Sequence, residues 1–350
     1  MDAAGVEVIA PNLKRRLSGV TATVIRLVPV QARSIGIATC GPGLPEGLPH
    51  LSARQVLTLP RDRLRVWHAR RNTEMLAGLV LRHVLRRRLA LLFTSAAQRS
   101  HSGYTRWLVS RMDGLVATSS MAASYLERPA RVIEHGVDLE AFSPATDRAA
   151  LRARLGLPPG LWAGCFGRIR ENKGTDLLVD AMLRLMPERP DLRCLIVGRE
   201  DEPAFAADLR ARVEAAGLSP RFSWIPFLSW EALAAHYAAL DLYVAPQRWE
   251  GFGLTPLEAM ASGVPVVATR VGAFPDIVAP RAGTLVDPGD AALIAEACAS
   301  WLDDAEARDG AGRAARAHVE AHHSIEAEAA ALEEVYRGLL AGRGPGGAPV

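Results

Sequence analysis

Short apolar runs alternate with helix-like amphipathic segments along most of the chain, and this alternation constrains the fold more than any other feature. Repeats of strand, helix and strand build parallel sheets covered by helices. The runs predicted as strands are 6–10, 34–40, 65–68, 89–94, 114–118 and 131–134, then 161–167, 192–198, 222–225, 242–245, 264–269 and 283–286. The pattern therefore predicts an α/β protein with two Rossmann-like halves.

A loop-like stretch, His135-Gly-Val-Asp-Leu-Glu-Ala-Phe-Ser-Pro144, separates the two sets of strands. Its glycine and its proline are typical of a connection between elements. We therefore predict an N-terminal domain over 1–138 and a C-terminal domain over 139–341, with His135 in a linker role. The end of the chain, 342–350, is rich in glycine and proline and is predicted to be a flexible tail.

Composition is that of a cytoplasmic enzyme. The 350 residues are 49% hydrophobic, enough for two cores of ordinary size. The four cysteines lie far apart without Cys-x-x-Cys spacing, so neither a disulfide framework nor a zinc site is predicted. We expect no signal peptide and no membrane span, because the start lacks a charged, apolar leader and no long apolar run follows. A net charge of +3 is too small to predict nucleic-acid binding.

One segment carries most of the functional information: Glu250-Gly-Phe-Gly-Leu-Thr-Pro-Leu-Glu258. Its two glycines let backbone N–H groups approach a ligand, and Pro256 suits the first helical position after an N-cap at Thr255. A helix N-terminus suits a phosphate, and the flanking carboxylates suit sugar hydroxyls. The combination predicts a nucleotide-sugar site. Thr255-Pro-Leu-Glu258 also matches a capping box, in which Glu258 only binds the N-cap amide.

A second signal is cationic: Phe166-Gly-Arg168 at a strand end, followed by Glu171-Asn-Lys173-Gly174. Lys173 is one of only two lysines in an arginine-rich chain, so its place beside a glycine indicates a need for a compact ammonium. Cleaving a nucleotide sugar leaves a charged diphosphate, which a metal or fixed cations must offset. No Asp-x-Asp ends a strand, and Glu200-Asp201-Glu202 is predicted to be a solvated loop. We therefore expect no metal and no cofactor.

The Glu250–Glu258 segment resembles the acid-seven-acid motif of the family 4 retaining glycosyltransferases, which have the GT-B fold of two Rossmann-like domains facing a central cleft. The resemblance implies that Arg168 and Lys173 bind the donor diphosphate, that Glu250 holds the sugar, and that Glu258 binds the ribose diol. It implies catalysis by Arg168, Lys173 and Glu250, in which the leaving phosphate takes the acceptor proton. It also implies that the last helix packs back toward the N-terminal domain.

The donor site implied by the resemblance has members in both domains. Gly19 matches the glycine loop of the first domain, although Ser18 replaces the second glycine that the family commonly has. Arg199 is a candidate for the base pocket. The full predicted donor set is Gly19, Arg168, Lys173, Arg199, Glu250, Gly251, Phe252, Gly253, Leu254, Thr255 and Glu258.

The acceptor side departs from the family. The histidine that usually follows the strand at 89–94 is missing, and Arg99 or His101 are the candidates to replace it. The strand end at 67–72 and the run 14–16 together form a cationic rim where open parallel sheets bind ligands, which fits an anionic acceptor. The predicted acceptor residues are Lys14, Arg15, Arg16, His68, Arg70, Arg71, Arg99 and His101.

The segment 74–92 has an apolar stripe and a cluster of arginines, as in a basic amphipathic helix. The stripe is Leu76, Leu79, Val80 and Val84, and the arginines are Arg82, Arg86, Arg87 and Arg88. This pattern is equally typical of a helix packed on the sheet and of one attracted to the anionic inner face of the cytoplasmic membrane.

The segments 10–21, 39–45, 66–72 and 93–99 resemble bacterial lipopolysaccharide core mannosyltransferases. This implies GDP-mannose as donor and a Kdo-bearing lipid A precursor, an anionic glycolipid, as acceptor. One alternative is a UDP- or ADP-hexose used for another glycan or glycolipid, and another is a catalytically silent GT-B partner subunit. A dinucleotide-dependent oxidoreductase is disfavoured, since no Gly-x-Gly-x-x-Gly follows the first strand.

Overall fold

The computed structural model describes residues 3–15 and 19–343. The chain divides into two compact units, one formed by Met1–His135 with Ile325–Val350 and the other by Gly136–Ser324. The chain thus leaves the first unit after His135, close to the predicted boundary, and returns to it at Ile325. The last helix groups with the first unit, whereas the sequence assigned residues up to 341 to the C-terminal domain.

The described residues form strands β1 to β13. They are Val8–Pro11, Ile37–Cys40, His50–Leu51, Arg65–Ala69, Leu89–Ser95, Gly114–Ala117, Arg131–Val132, Leu161–Phe166, Leu192–Val197, Phe222–Ile225, Leu242–Ala245, Val266–Thr269 and Gly283–Val286. β3 was not predicted, because it has only two residues and follows a Gly/Pro-rich turn. The other twelve strands match the predicted ones, although several begin later or end earlier.

The same residues form helices α1 to α14. They are Gly19–Gln31, Ala53–Leu57, Asn72–His83, Gly103–Val109, Ser120–Ser124, Arg148–Arg154, Thr175–Leu185, Pro203–Ala215, Trp230–Ala238, Thr255–Ala261, Phe274–Ile277, Ala291–Leu302, Ala305–His322 and Ile325–Leu340. None of these helices combines the length and the apolar character needed to cross a membrane.

Each unit contains one parallel sheet. The strand order is β3-β2-β1-β4-β5-β6-β7 in the first unit and β10-β9-β8-β11-β12-β13 in the second. The central strands of both sheets are buried along all or nearly all of their length, as expected when helices cover both faces of a sheet. In the first unit α1 and α14 pack on one face, while α2, α3 and α4 pack on the other.

The strand order fixes where ligands can bind. In the first sheet the chain adds strands on one side of β1 and then resumes on the other side with β4. The second sheet reverses in the same way between β8 and β11. At such a reversal the loops after the two central strands diverge and leave a crevice at the carboxyl edge. Each unit therefore has one such crevice.

The predicted amphipathic segment 74–92 is shorter as a helix than its pattern suggests. α3 ends at His83, and the residues from Leu89 belong to β5. Leu79 is buried against the sheet, while Leu76, Val80 and Val84 are exposed. The predicted stripe therefore divides between the core and the surface.

Candidate active site

The crevice of the second unit lies between the loops that follow β8 and β11. These two strands are direct neighbours, paired through Leu242 with Ala163 and Tyr243 with Gly164. β8 ends at Phe166 and β11 at Ala245. Because both strands end at the same edge, the residues that follow them come together although they are far apart in sequence.

Lys173 and Glu250 meet in this crevice. The Nζ atom of Lys173 is paired with Oε2 of Glu250, and the two side chains are 17% and 16% exposed. The other oxygen of Glu250 accepts a hydrogen bond from the N–H of Gly251 at 3.0 Å. The structure thus brings together two of the three predicted catalytic residues as an ion pair at the mouth of the crevice.

Gly174 permits the close approach of the two loops. It has a φ of +70°, and a Cβ on it would collide with the carbonyl oxygen of Pro246. Arg248 fastens the same loops, since its guanidinium binds both carboxylate oxygens of Asp176 at 2.8 and 2.7 Å. The backbone N–H of Arg248 also donates to the carbonyl oxygen of Asn172 at 3.1 Å. Lys173 and Glu250 therefore lie on two loops that several other contacts also join.

Arg168 and Arg199 share one carboxylate. Asp201 binds Nη1 of Arg168 at 3.1 Å and Nε of Arg199 at 3.0 Å. Its neighbour Glu200 binds Arg210 at 2.5 Å. The acidic run predicted as a solvated loop is thus engaged with arginines. Within the described residues, no group of three or more His, Cys, Asp or Glu side chains is arranged to hold a metal ion.

The predicted N-cap of α10 was wrong by one residue. The cap is Leu254, with φ −76° and ψ −21°, so Thr255 is the first residue of the helix and Pro256 the second. The reason is Gly253, which takes a φ of +83° and turns the chain early enough for Leu254 to adopt helical angles. A Cβ at Gly253 would meet the ring of Phe274 and the side chain of Glu250.

Glu258 is buried beneath this helix start. Its Oε2 accepts a hydrogen bond from the hydroxyl of Tyr237 at 2.8 Å. Burial, and then the charge of Glu258, raise the pKa of Tyr237 well above its ordinary value, so the tyrosine stays a neutral donor. The N-cap of α10, Leu254, makes no side-chain capping hydrogen bond to any described residue, which disfavours the predicted capping box. Tyr237 could not be predicted from the sequence, because it lies on α9 and no spacing rule relates that helix to Glu258.

The crevice of the first unit is filled by a polar network. Arg71 donates to Glu74 Oε1 at 2.7 Å, to Asn12 Oδ1 at 3.0 Å and to Thr21 Oγ1 at 2.9 Å. The side chains of Arg71 and Glu74 are only 11% and 0% exposed. Arg71 is therefore poorly placed for an open cationic rim, because its guanidinium is mostly buried and paired with Glu74.

His68 is also buried, with both ring nitrogens engaged. They lie 2.7 Å from the hydroxyl of Tyr336 and 2.6 Å from Oγ1 of Thr94. Burial, and then the charge of Arg70, lower the pKa of His68 well below its ordinary value. His68 is therefore a neutral ring, fixed between α14 and β5.

The remaining predicted acceptor residues lie nearer the surface. Lys14, Arg15 and Arg99 are exposed, and Arg16 lies outside the described residues. His101 is half-buried, and its Nε2 has no hydrogen-bond partner among the described residues. Burial, and then the charge of Arg99, lower the pKa of His101. Gly19 begins α1 with open space where a Cβ would stand.

Comparison with known proteins decides the family. Residues 148–318 match the family model described as Glycosyl transferases group 1. The lipopolysaccharide core biosynthesis mannosyltransferase LpsB of Rhizobium meliloti (strain 1021) is 47% identical, over 97% of this chain and 99% of that protein. The lipopolysaccharide core biosynthesis mannosyltransferase LpcC of Rhizobium leguminosarum bv. viciae is 49% identical, over 97% of this chain and 98% of that protein. This chain belongs to the group 1 glycosyltransferases.

Solved structures agree with the fold of such a glycosyltransferase. The chain is similar to sucrose-phosphate synthase of Thermosynechococcus elongatus, with a TM-score of 0.78 and 23% identity over 96% of this chain and 99% of that one. HepE of Anabaena in complex with UDP and glucose gives a TM-score of 0.81 and 19% identity over 94% and 98%. At these identities the likeness shows the fold alone. It confirms the predicted pair of Rossmann-like domains of the GT-B class.

The same comparisons confirm that the glycosyltransferase is a hexosyltransferase, as the sequence predicted. The family number 4 stays a prediction. So do the roles of the individual donor and acceptor residues, for which the structure gives positions and contacts.

Proposed function

We propose that this glycosyltransferase moves mannose from GDP-mannose onto the inner-core Kdo of a lipid A precursor, with retention of configuration. The observation that carries the proposal is the likeness, over nearly the whole chain, to two lipopolysaccharide core mannosyltransferases. The crevice of the second unit supports it independently. It offers a lysine, a glutamate and a glycine-bearing helix start, the groups that a diphosphate sugar needs.

In this proposal Lys173 and Arg168 face the diphosphate of the donor. Before the donor binds, Glu250 neutralises Lys173. On binding, the ammonium turns to the phosphate oxygens, and Glu250 accepts hydrogen bonds from the sugar hydroxyls instead. As the anomeric bond breaks, charge grows on the leaving phosphate, and these fixed cations stabilise it without a metal. The leaving phosphate then takes the proton of the acceptor hydroxyl.

A panel of donors tests the proposal. GDP-mannose, UDP-glucose and ADP-glucose are each added to the protein, and the melting temperature and the nucleotide released are measured. GDP-mannose should raise the melting temperature by mass action and release GDP when the Kdo acceptor is present. Turnover of UDP-glucose with GDP-mannose ignored would refute the mannosyl proposal. Binding without release in every case would favour the silent partner subunit.

A surface of the first unit supports contact with an anionic membrane. Val84 is 69% exposed, and the exposed residues Val80 and Leu76 lie about one and two turns before it. α3 packs against α4, where the rings of Tyr104 and Trp107 stack with centroids 6.2 Å apart. Arg111 lies 4.1 Å above the ring of Trp107. Exposed aliphatic and aromatic groups beside an arginine suit the headgroup region of a bilayer.

The arginines predicted for this role are mostly engaged within the protein. Arg82 pairs with Asp113 at 2.6 Å, and Arg87 donates to the carbonyls of Leu59 and Leu57. Binding should therefore depend on the apolar residues more than on these charges. Flotation with vesicles containing anionic lipid should show loss of binding in the double variant Val84→Ser with Trp107→Ser. Undiminished flotation of that variant would count against this membrane surface.

A further inference from the structure

A small cavity with several polar side chains in its wall lies at the carboxyl edge of the first sheet, on the face covered by α1 and α14. Its walls include Thr23 of α1, His68 and Arg70 from the end of β4, Thr94 of β5, and Glu328 of α14. Neither the family match nor the arrangement of the donor site accounts for this group of side chains. It lies beside the crevice that Arg71 and Glu74 fill.

Arg70 brings an uncompensated charge to this cavity. In the described part of the chain its guanidinium has no carboxylate within ion-pair distance, and it makes one long contact, 3.4 Å, with the carbonyl oxygen of His68. Glu74 receives the backbone N–H of Arg70 at 2.8 Å, while its charge is matched by Arg71. A guanidinium without a carboxylate partner can bind a planar anion such as a carboxylate through two N–H donors.

His68 holds the two polar groups of this end of the cavity. Its carbonyl oxygen contacts Arg70, and its ring lies 2.6 Å from Oγ1 of Thr94. The second ring nitrogen is fixed by Tyr336 at 2.7 Å. Because the ring is fully buried, it does not contact a ligand itself. His68 instead orients the two groups that can, Arg70 through its carbonyl oxygen and Thr94 through its ring. His68 is therefore a positioning residue.

Glu328 is the acidic residue in the wall of this cavity. Glu328 binds Nδ1 of His135 at 2.7 Å, and His135 follows β7. The Glu328 carboxylate thus lines the same cavity as Arg70 and is engaged with His135.

We propose that the Arg70 end of this cavity is the subsite for the carboxylate of an acidic acceptor sugar, with Thr94 as a second donor and His68 holding both in place. The inference rests on the proposed function, since it locates the group that makes the acceptor acidic. It narrows the predicted cationic rim to Arg70, for which the described residues provide no carboxylate partner.

The test uses two acceptors that differ in one group: Kdo methyl glycoside and the same glycoside with its carboxyl reduced to a hydroxymethyl. In the wild type, kcat/KM for the acid should exceed that for the alcohol by about tenfold or more, as expected for one charge-assisted contact. Arg70→Gln should bring the ratio to about one by raising the KM of the acid. Thr94→Val should raise that KM, and Thr94→Ser should restore it.

Two controls keep the outcomes distinct. Arg33→Gln removes a charge from an exposed position beyond the far end of α1 and should leave the ratio unchanged. The Kd of GDP-mannose, measured by calorimetry, should be the same in all variants, and it reports on the proposed function separately. Acid preference that survives in Arg70→Gln overturns the subsite, and so does a wild type that uses both acceptors equally.

A third measurement covers the case in which neither glycoside is turned over. Saturation-transfer NMR then detects binding of the acidic glycoside directly. Binding by the wild type that Arg70→Gln abolishes, at an unchanged melting temperature, supports the subsite. Equal binding by both proteins, or by neither, overturns it.

Discussion

The two crevices of this glycosyltransferase arise from the same topology and are used differently. In the second unit an ion pair, Lys173 with Glu250, lies between β8 and β11. In the first unit another ion pair, Arg71 with Glu74, lies between β1 and β4. Both pairs are largely buried. What differs is how many other groups hold each cation.

Arg71 has several partners, because its guanidinium binds Asn12 and Thr21 in addition to Glu74. Lys173 has Glu250 as its partner among the described side chains, so an ammonium with three donors keeps capacity for a ligand. The comparison shows that charged residues at a strand reversal do not by themselves indicate a binding site, since each crevice contains an ion pair. Whether those charges serve chemistry or the fold depends on the hydrogen bonds that remain.

The largest effect should follow from breaking the structural pair. Arg71→Met leaves Glu74 fully buried without its counter-ion, so the free energy of unfolding should fall by about 3–5 kcal/mol. Urea unfolding measures this, with Arg33→Met as the matched exposed control. The Kd of GDP-mannose should not change. If Arg71→Met lowers the free energy of unfolding no more than Arg33→Met does, the pair of Arg71 and Glu74 does not stabilise the first unit.

For the pair of Lys173 and Glu250 we expect the reverse: a substitution should lower turnover and leave the stability of the fold nearly unchanged. Lys173→Ala should lower turnover by about a hundredfold or more, because a fixed cation facing the developing charge is lost. Lys173→Arg should restore activity only partly, since a fork-shaped guanidinium does not replace a compact ammonium. Steady-state kinetics measure both, and the melting temperature should change little.

The same kinetics test the metal-free mechanism. Activity of the wild type should survive EDTA, because Lys173 and Arg168 supply the positive charge. Complete loss in EDTA, restored by manganese, would contradict this.

The sequence predicted the sheets well because buried parallel strands are continuous apolar runs bounded by turns. It predicted Lys173 and Glu250 as site residues from their types and neighbouring glycines. That they pair with each other could not be read from the sequence, since it depends on β8 and β11 being neighbours.

The errors have physical causes of the same kind. The buried pairing of Arg71 was not predicted, although Glu74 stands one helical turn later and could have indicated an ion pair. The Thr255 cap was wrong because the angle of Gly253 is not visible in a motif. Tyr237 was missed because its bond to Glu258 joins two different helices.

Glu258 gives the smallest expected effect and the sharpest test of the comparison, because its carboxylate is both buried and near the donor loop. Glu258→Ala should weaken GDP-mannose binding by about tenfold, and Glu258→Gln by less, since the amide keeps an acceptor but not the charge. Calorimetry gives the Kd values, and thermal unfolding reports the structural part. Tyr237→Phe removes the hydrogen bonds of the hydroxyl to Oε2 of Glu258 and to Tyr243, and it should lower the melting temperature with little change in Kd. If Glu258→Ala lowers the melting temperature as Tyr237→Phe does but leaves the Kd unchanged, Glu258 belongs with Arg71 among the structural charges.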